Sequence, residues 1–337
     1  MPPFAAAWWA PGGHAQTLAG YLLPSPRSLP ETHWHSIAVS HGDRLVLGEN
    51  RSSGDPAGMV LLLHGLGGRA DSPYMVRVAQ KFLQQGWTTF RLNHRGAGQG
   101  RGLAKWLYHA GRSEDLVPVI QFCAARAPHQ PLLVIGFSLS GNMLLKYLAE
   151  QGGAVPANLA GAIAVSAPIQ LALSAAAISR HSNALYHARF LRLLKQALAE
   201  RMVDFPDFPR LTLPKKLTLT GFDHSVTAPL GGFTSAEDYY QKSSAHPLLG
   251  AIRTPTILLA AQDDPCVPFQ TYAALPHNPR LQLLLPRHGG HLGFIAGSRT
   301  PFGDHRWLDY ALQYHAGIMC QAAGLARQMA CFWPGQL

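Results

Sequence analysis

Six short, largely apolar runs constrain this chain more than any other feature: Met59–Leu63 (MVLLL), Trp87–Leu92 (WTTFRL), Pro131–Ile135 (PLLVI), Leu159–Ser166 (LAGAIAVS), Thr254–Ala261 (TPTILLAA) and Leu281–Pro286 (LQLLLP). A strand exposed on one face alternates apolar and polar residues, so continuous runs of this length suit strands covered by helices on both faces. Helix-length segments separate most of them, including Tyr74–Gln85, Ser113–Arg126 and Ser140–Gln151, with Ser113 placed to act as an N-cap. Two earlier segments, His33–Ser40 and Arg44–Glu49, flank His41-Gly42-Asp43, whose glycine suits a turn between antiparallel strands. Together these predict an α/β protein with a mainly parallel, eight-stranded sheet flanked by helices. The alternation stops between Pro168 and Ile252, where about eighty residues separate two core strands instead of a short crossover. We read an N-terminal core part over 1–167, with an extension over 1–31, an inserted helical cap over 168–252, and a C-terminal core part over 253–337.

With 47% apolar and 14% charged residues, the chain can bury a large core, which excludes wholesale disorder and a fibrous role. Its 28 Lys and Arg exceed its 18 Asp and Glu by ten, a balance that suits anionic partners. The charge is scattered rather than gathered into a basic block, and no nucleic-acid-binding signature accompanies it, so no nucleic-acid partner is expected. Cys123, Cys266, Cys320 and Cys331 form no CxxC pair and read as reduced, mostly structural thiols. The opening MPPFAAAWWAPGG lacks a basic n-region and is interrupted by Pro11-Gly12-Gly13, so a cytoplasmic protein is expected. Gln151–Ser179 carries no charge, yet Pro156, Asn158, Pro168 and Gln170 divide it, which favours a buried strand, a loop and a helix over a membrane span. Inside the insertion, Leu185, Phe190, Leu191, Leu194 and Leu198 form a partly amphipathic helical face, with Arg189, Arg192, Lys195 and Arg201 supplying charge. Packing on the sheet domain is the main reading of that face; transient membrane-surface contact through the cap is the other. A monomer is the default.

The chemistry concentrates where PLLVI runs into Gly136-Phe137-Ser138-Leu139-Ser140-Gly141 and an apolar helix. A nucleophile elbow needs small residues two before and two after the nucleophile, because the chain turns too sharply for larger side chains. Gly136 fits, and Ser140 stands at the second small position, where it is also a rival hydroxyl; the elbow spacing favours Ser138. A serine hydroxyl is a weak nucleophile near neutral pH and needs a histidine base with an acid to orient it. Downstream, TPTILLAA leads to Gln262-Asp263-Asp264-Pro265-Cys266-Val267-Pro268, and LQLLLP leads to Arg287-His288-Gly289-Gly290-His291. Asp264 is favoured as the acid, with Asp263 bonding the turn. His291 is favoured over His288 as the base, because two glycines let its loop reach over the nucleophile. The order Ser, Asp, His differs from those of chymotrypsin and subtilisin. Leu63-His64-Gly65-Leu66-Gly67-Gly68 follows another core strand and suggests an oxyanion hole from the backbone N–H groups of Leu66 and Leu139. It lacks the Lys-Ser/Thr ending of a P-loop and the G-x-G-x-x-G of a dinucleotide site.

These motifs, with HAQT at 14–17, DSPY at 71–74, NHRGAG at 93–98, YHAGRSEDL at 108–116, GFDHSVTAPLGGF at 221–233 and DYYQKSS at 238–244, come in a series that resembles the YheT-like branch of the α/β-hydrolase superfamily. The resemblance spans nearly the whole chain. It implies an α/β-hydrolase fold, a Ser138–Asp264–His291 triad, and hydrolysis of carboxylic esters such as short- to medium-chain acyl esters or acylglycerols without a cofactor or metal. Some members transfer the acyl group to an alcohol, and a non-catalytic binding protein on the same fold is the alternative from another class. Arg95 and Asp115 read as a structural ion pair, and Asp223, Tyr239 and Tyr240 as anchors of the cap.

Overall fold

Alternation within each central strand builds the molecule outward from its sheet. In the computed structural model, which describes residues 1–322 apart from 2, 30 and 55, every residue of β3 (Gly58–Leu63) and β5 (Leu132–Phe137) is buried. Successive side chains of a strand point to opposite faces. Met59, Leu61, Leu63, Leu132 and Val134 accordingly join one core cluster, while Val60, Leu62, Leu133, Ile135 and Phe137 join another. Helices α3 (Leu116–Arg126) and α4 (Leu139–Gln151) cover the first face. Helices α2 (Pro73–Gln84) and α10 (Trp307–Ala322) cover the second.

The remaining strands are β1 (His33–Ala38), β2 (Arg44–Asn50), β4 (Trp87–Asn93), β6 (Leu159–Val165), β7 (Thr256–Leu259) and β8 (Leu281–Leu284). Their order is β1-β2-β4-β3-β5-β6-β7-β8, with β1 and β2 antiparallel and β3 to β8 parallel, which is the mainly parallel eight-stranded sheet expected. From β3 the chain passes to β4 on one side, then returns to β5 on the other. That reversal opens a crevice at the carboxyl ends of β3 and β5, where open α/β sheets place their sites.

Four further segments differ from, or add to, the sequence reading. Ser113 does not cap α3: its hydroxyl donates to Glu150, and residues 113–115 form a 3₁₀ turn that delays the helix to Leu116. The uncharged stretch is indeed split, into β6 and α5 (Leu171–Ile178), and among the described residues no helix is long and apolar enough to cross a membrane. Before β7 follow α6 (Ala184–Asp204), α7 (Leu219–Phe222), a π-turn over Asp223–Thr227, α8 (Ala228–Gly231) and α9 (Ala236–Ser243). Leu191 and Leu198 of α6 are buried, but Leu185 faces solvent, and Arg201 is buried with its Nη2 donating to the Arg95 carbonyl, so neither sits as its helical face suggested. At the other end, α1 (Gly12–Leu22) lies against the loops that follow β7 and β8: a Cβ on Gly13 would stand 1.7 Å from the Asp263 carbonyl oxygen, and one on Gly20 would stand 2.8 Å from the Gly293 Cα. Cys123, Cys266 and Cys320 are free and buried; Cys331 falls among residues 323–337, outside the described residues.

A buried ion cluster ties this frame together. The Arg95 guanidinium donates Nε (2.7 Å) and Nη2 (2.6 Å) to Asp115 and Nη1 (2.5 Å) to Asp43. Asp43 also accepts the backbone N–H groups of Lys105 and Trp106, so one arginine joins the β1–β2 turn, the loop after β4 and the start of α3.

Candidate active site

The turn from β5 into α4 bends at Ser138, whose φ of 52° and ψ of −119° are costly for a residue with a side chain. Gly136 is required there, since a Cβ would come within 2.5 Å of the Ser140 carbonyl oxygen. The strained turn lifts the Ser138 hydroxyl toward the crevice. His291 Nε2 lies 3.0 Å from Ser138 Oγ, and His291 Nδ1 lies 2.8 Å from Asp264 Oδ2. The other Asp264 oxygen accepts the N–H groups of Cys266 and Val267 at 2.8 and 3.0 Å, which fixes the carboxylate against the loop after β7. All three side chains that the sequence singled out therefore meet, from three loops at the carboxyl ends of β5, β7 and β8.

The rival groups have other partners. Ser140 is buried, donates to the His64 carbonyl, and lies 2.7 Å from His94 Nε2. With the single hydroxyl hydrogen committed to His64, His94 is the donor to Ser140, so its proton sits on Nε2. Burial holds His94 neutral, pushing its pKa down to about 3. The serine at this small position is thus a strut between two loops. Asp263 accepts the Gly290 N–H at 2.9 Å and pairs with His288 Nδ1 at 3.1 Å, bonding the turn that carries His291.

The glycine loop after β3 brings a further donor to stand beside one from α4. A Cβ on Gly65 would lie 3.1 Å from that of Ser138, so glycine permits the close approach. Two tyrosines hold the loop: the Tyr74 hydroxyl accepts the Gly65 N–H at 3.0 Å, and that of Tyr108 accepts the Gly67 N–H at 2.8 Å. Between them, the Leu66 N–H has no acceptor among the described residues, nor does the Leu139 N–H in the first turn of α4. Leu66, Leu139, Ser138 and His291 all border one pocket, partly open to solvent and walled mainly by apolar groups including Leu171, Ile178, Phe190 and Leu194.

Several further residues fall within motifs the sequence offered, but the contacts they make here had no signal in it. Thr17 Oγ1 accepts the His291 N–H at 2.8 Å and donates to the Gly13 carbonyl at 2.6 Å, so α1 supports the histidine from the far end of the chain. Cys266 stands near enough to Asp264 and His291 for the three to form a metal-sized group. Both Asp264 oxygens are already committed, however, and burial holds the Cys266 thiol well above its usual pKa, which opposes the thiolate a metal needs. Asp223 and Tyr240 anchor each other, the phenol donating to the carboxylate at 2.7 Å, but both also line the pocket.

Burial pushes the Asp223 carboxyl up to about 6, only partly offset by the hydrogen bonds from Thr227 and Tyr240. A folded-state value above the unfolded one means that the group favours folding at low pH and loses that contribution as pH rises through about 4 to 6. The unfolding free energy of Asp223→Asn minus that of the wild type is therefore expected to increase by about 2 kcal/mol from pH 4 to pH 7.5. Urea denaturation at both pH values checks this; a constant difference would remove the desolvated carboxyl from the explanation.

Comparison with known proteins gives this geometry its setting. The family model described as alpha/beta hydrolase fold matches residues 58–298, most of the chain. The chain belongs to the α/β-hydrolase family. It is 30% identical over 289 residues to YheT of Escherichia coli (strain K12), covering 82% of each chain. It is 31% identical over 255 residues to the monoacylglycerol lipase of Saccharomyces cerevisiae, covering 72% of this chain and 56% of that one. Among solved structures, an esterase of Pyrococcus furiosus, Pf2001, superposes with a TM-score of 0.55 at 16% identity, covering 88% of this chain and 96% of that chain, which bears on the fold alone. The relatives place this α/β-hydrolase among esterase and lipase families.

Proposed function

We propose that this α/β-hydrolase is a serine esterase or lipase that cleaves carboxylic esters, short- to medium-chain acyl esters or acylglycerols, through an acyl-enzyme. The observation that carries the reading is the hydrogen-bonded file from Ser138 through His291 to Asp264, set in one apolar pocket beside two backbone N–H groups that have no acceptor among the described residues. His291 Nε2 takes the Ser138 proton as Oγ attacks the ester carbonyl. Asp264 holds the Nδ1–H tautomer and stabilises the imidazolium. The N–H groups of Leu66 and Leu139 receive the negative charge on the carbonyl oxygen. The imidazolium then protonates the departing alcohol, and water attacks the acyl-enzyme with His291 again as base. No cofactor enters these steps.

Residues 168–252 serve as the cap, between core parts 1–167 and 253–337: α5 and α6 lend Leu171, Ile178, Phe190 and Leu194 to the pocket wall and so select the acyl chain. The yeast relative's name, a monoacylglycerol lipase, favours a lipid ester as substrate. Free, buried Cys123, Cys266 and Cys320 suit a reducing, cytoplasmic setting. Hydrolysis of a p-nitrophenyl ester series from acetate to palmitate tests the reading, with products followed in the presence of ethanol. The expected result is turnover that peaks at short to medium chains and gives mainly free acid. Ethyl ester as the main product would turn the reading to acyl transfer, and an inert protein would turn it to a binding role.

A further inference from the structure

Helix α1 is inside out for a helix on the surface of a water-soluble domain. Such a helix normally turns its large apolar side chains inward and polar ones outward. Here the inward residues are Gly13, Gln16, Thr17 and Gly20. Added Cβ atoms on the two glycines would strike Asp263 and Gly293, Gln16 bonds Ala10 and both backbone groups of Ile295, and Thr17 bonds His291. The contact with the active-site loops is so close that only small or hydrogen-bonding residues fit it. Outward stand Leu18, Tyr21 and Leu22, and the segment leading into α1 adds Trp8 and Trp9. Trp8 is 88%, Leu22 71% and Tyr21 63% exposed.

This apolar surface continues onto α6. His14 stacks on Tyr186, and the Arg189 guanidinium lies 4.6 Å from the centre of the Tyr21 ring. Leu185, Arg189, Arg192 and Gln196 follow one another at helical spacing on the exposed side of α6, where Leu185 is 80% exposed. Residues 1–30 and 151–199 contain no Asp or Glu, while they carry Arg27, Arg180, Arg189, Arg192 and Lys195. Two acids stand at the edge of this region: Glu200, which accepts from Gln196 at 2.9 Å, and Asp263, which is occupied by His288 and the Gly290 N–H.

We propose that α1, the Trp8-Trp9 turn and the exposed side of α6 form a docking surface for an anionic lipid bilayer, which brings the rim of the active site to the membrane. Tryptophan, tyrosine and leucine side chains partition into the headgroup–acyl boundary, and nearby arginine and lysine side chains add electrostatic attraction to anionic headgroups. The same charge argues against a second copy of the chain as occupant, since pairing this face with itself would set Arg189, Arg192 and Lys195 against their equivalents. The inference goes beyond ester hydrolysis and is tested without it.

The test is co-sedimentation with sucrose-loaded vesicles, of phosphatidylcholine alone or mixed with phosphatidylglycerol, in a Ser138→Ala background so that lipid is not consumed. Binding to the anionic vesicles is expected at low salt, weakening as salt rises. Trp8→Ser/Leu22→Ser should lower the partition coefficient about tenfold or more, because it removes two large apolar side chains from the contact. Arg189→Glu/Arg192→Glu should abolish the preference for phosphatidylglycerol. These side chains are exposed, so thermal unfolding should show both variants folded. The proposal is overturned if the parent protein does not sediment with either vesicle, if both variants bind as it does, or if light scattering reveals a dimer that Trp8→Ser/Leu22→Ser dissolves.

Discussion

Replacing Ser138 by alanine is expected to lower the turnover of any ester substrate by roughly 10⁴- to 10⁶-fold while leaving the fold intact. The size follows from what is removed: without Oγ no acyl-enzyme forms, and only water positioned by the remaining donors can attack. The folded state should tolerate the change, because the Ser138 hydroxyl has His291 as its partner and alanine keeps the Cβ that meets Gly65. Ser140→Ala is the informative control. Ser140 Oγ joins His94 to the His64 carbonyl in the interior, so its loss should cost stability by about 1–3 kcal/mol and leave most of the turnover. Steady-state kinetics beside chemical denaturation separates the two serines. Equal activity losses from both would undo the assignment of Ser138.

The largest stability effect is expected at Arg95. Methionine there fills much of the same volume but leaves Asp43 and Asp115, both buried, without their cation. Breaking one side of a buried ion pair typically costs about 3–5 kcal/mol, since the stranded charges lose their compensation. That loss should appear in urea denaturation of Arg95→Met, whereas reading the cluster as a decorative surface contact would leave under about 1 kcal/mol. The cluster lies under the turn, loop and helix start that frame the sheet, and its members make no hydrogen bond to Ser138, Asp264 or His291. Variant protein that remains folded should therefore retain its activity.

The core and the elbow were legible in the sequence because both are local patterns. A run such as MVLLL says that a strand is covered on both faces, and a glycine two residues before Ser138 says that the chain turns too sharply for a side chain. Asp264 and His291 were legible for a related reason, since each follows a core strand and strands of a parallel sheet end on the same side. Contacts between distant segments were not legible. Nothing around Thr17 announces a hydrogen bond to His291, and nothing in the glycine loop announces that Tyr74 and Tyr108 hold it. Helical periodicity likewise misplaced two residues of α6. It marks which side chains share a face, but Leu185 lies at an end of the helix beyond the covering elements, and Arg201 turns inward to meet the Arg95 carbonyl. Ser113 had the right residue type for a cap, yet Glu150, from another helix, took its hydroxyl.

The most direct measurement is the mass of the intact protein after exposure to a fluorophosphonate, followed by peptide mapping of the adduct. A fluorophosphonate reacts with a serine whose proton a neighbouring base can remove, so it reads the activation of the hydroxyl itself. The expected result is one adduct per chain, on the peptide containing Ser138, absent from Ser138→Ala and strongly slowed in His291→Ala. An adduct on Ser140 or elsewhere, or ester turnover that persists in protein labelled at no serine, would contradict Ser138 as the nucleophile.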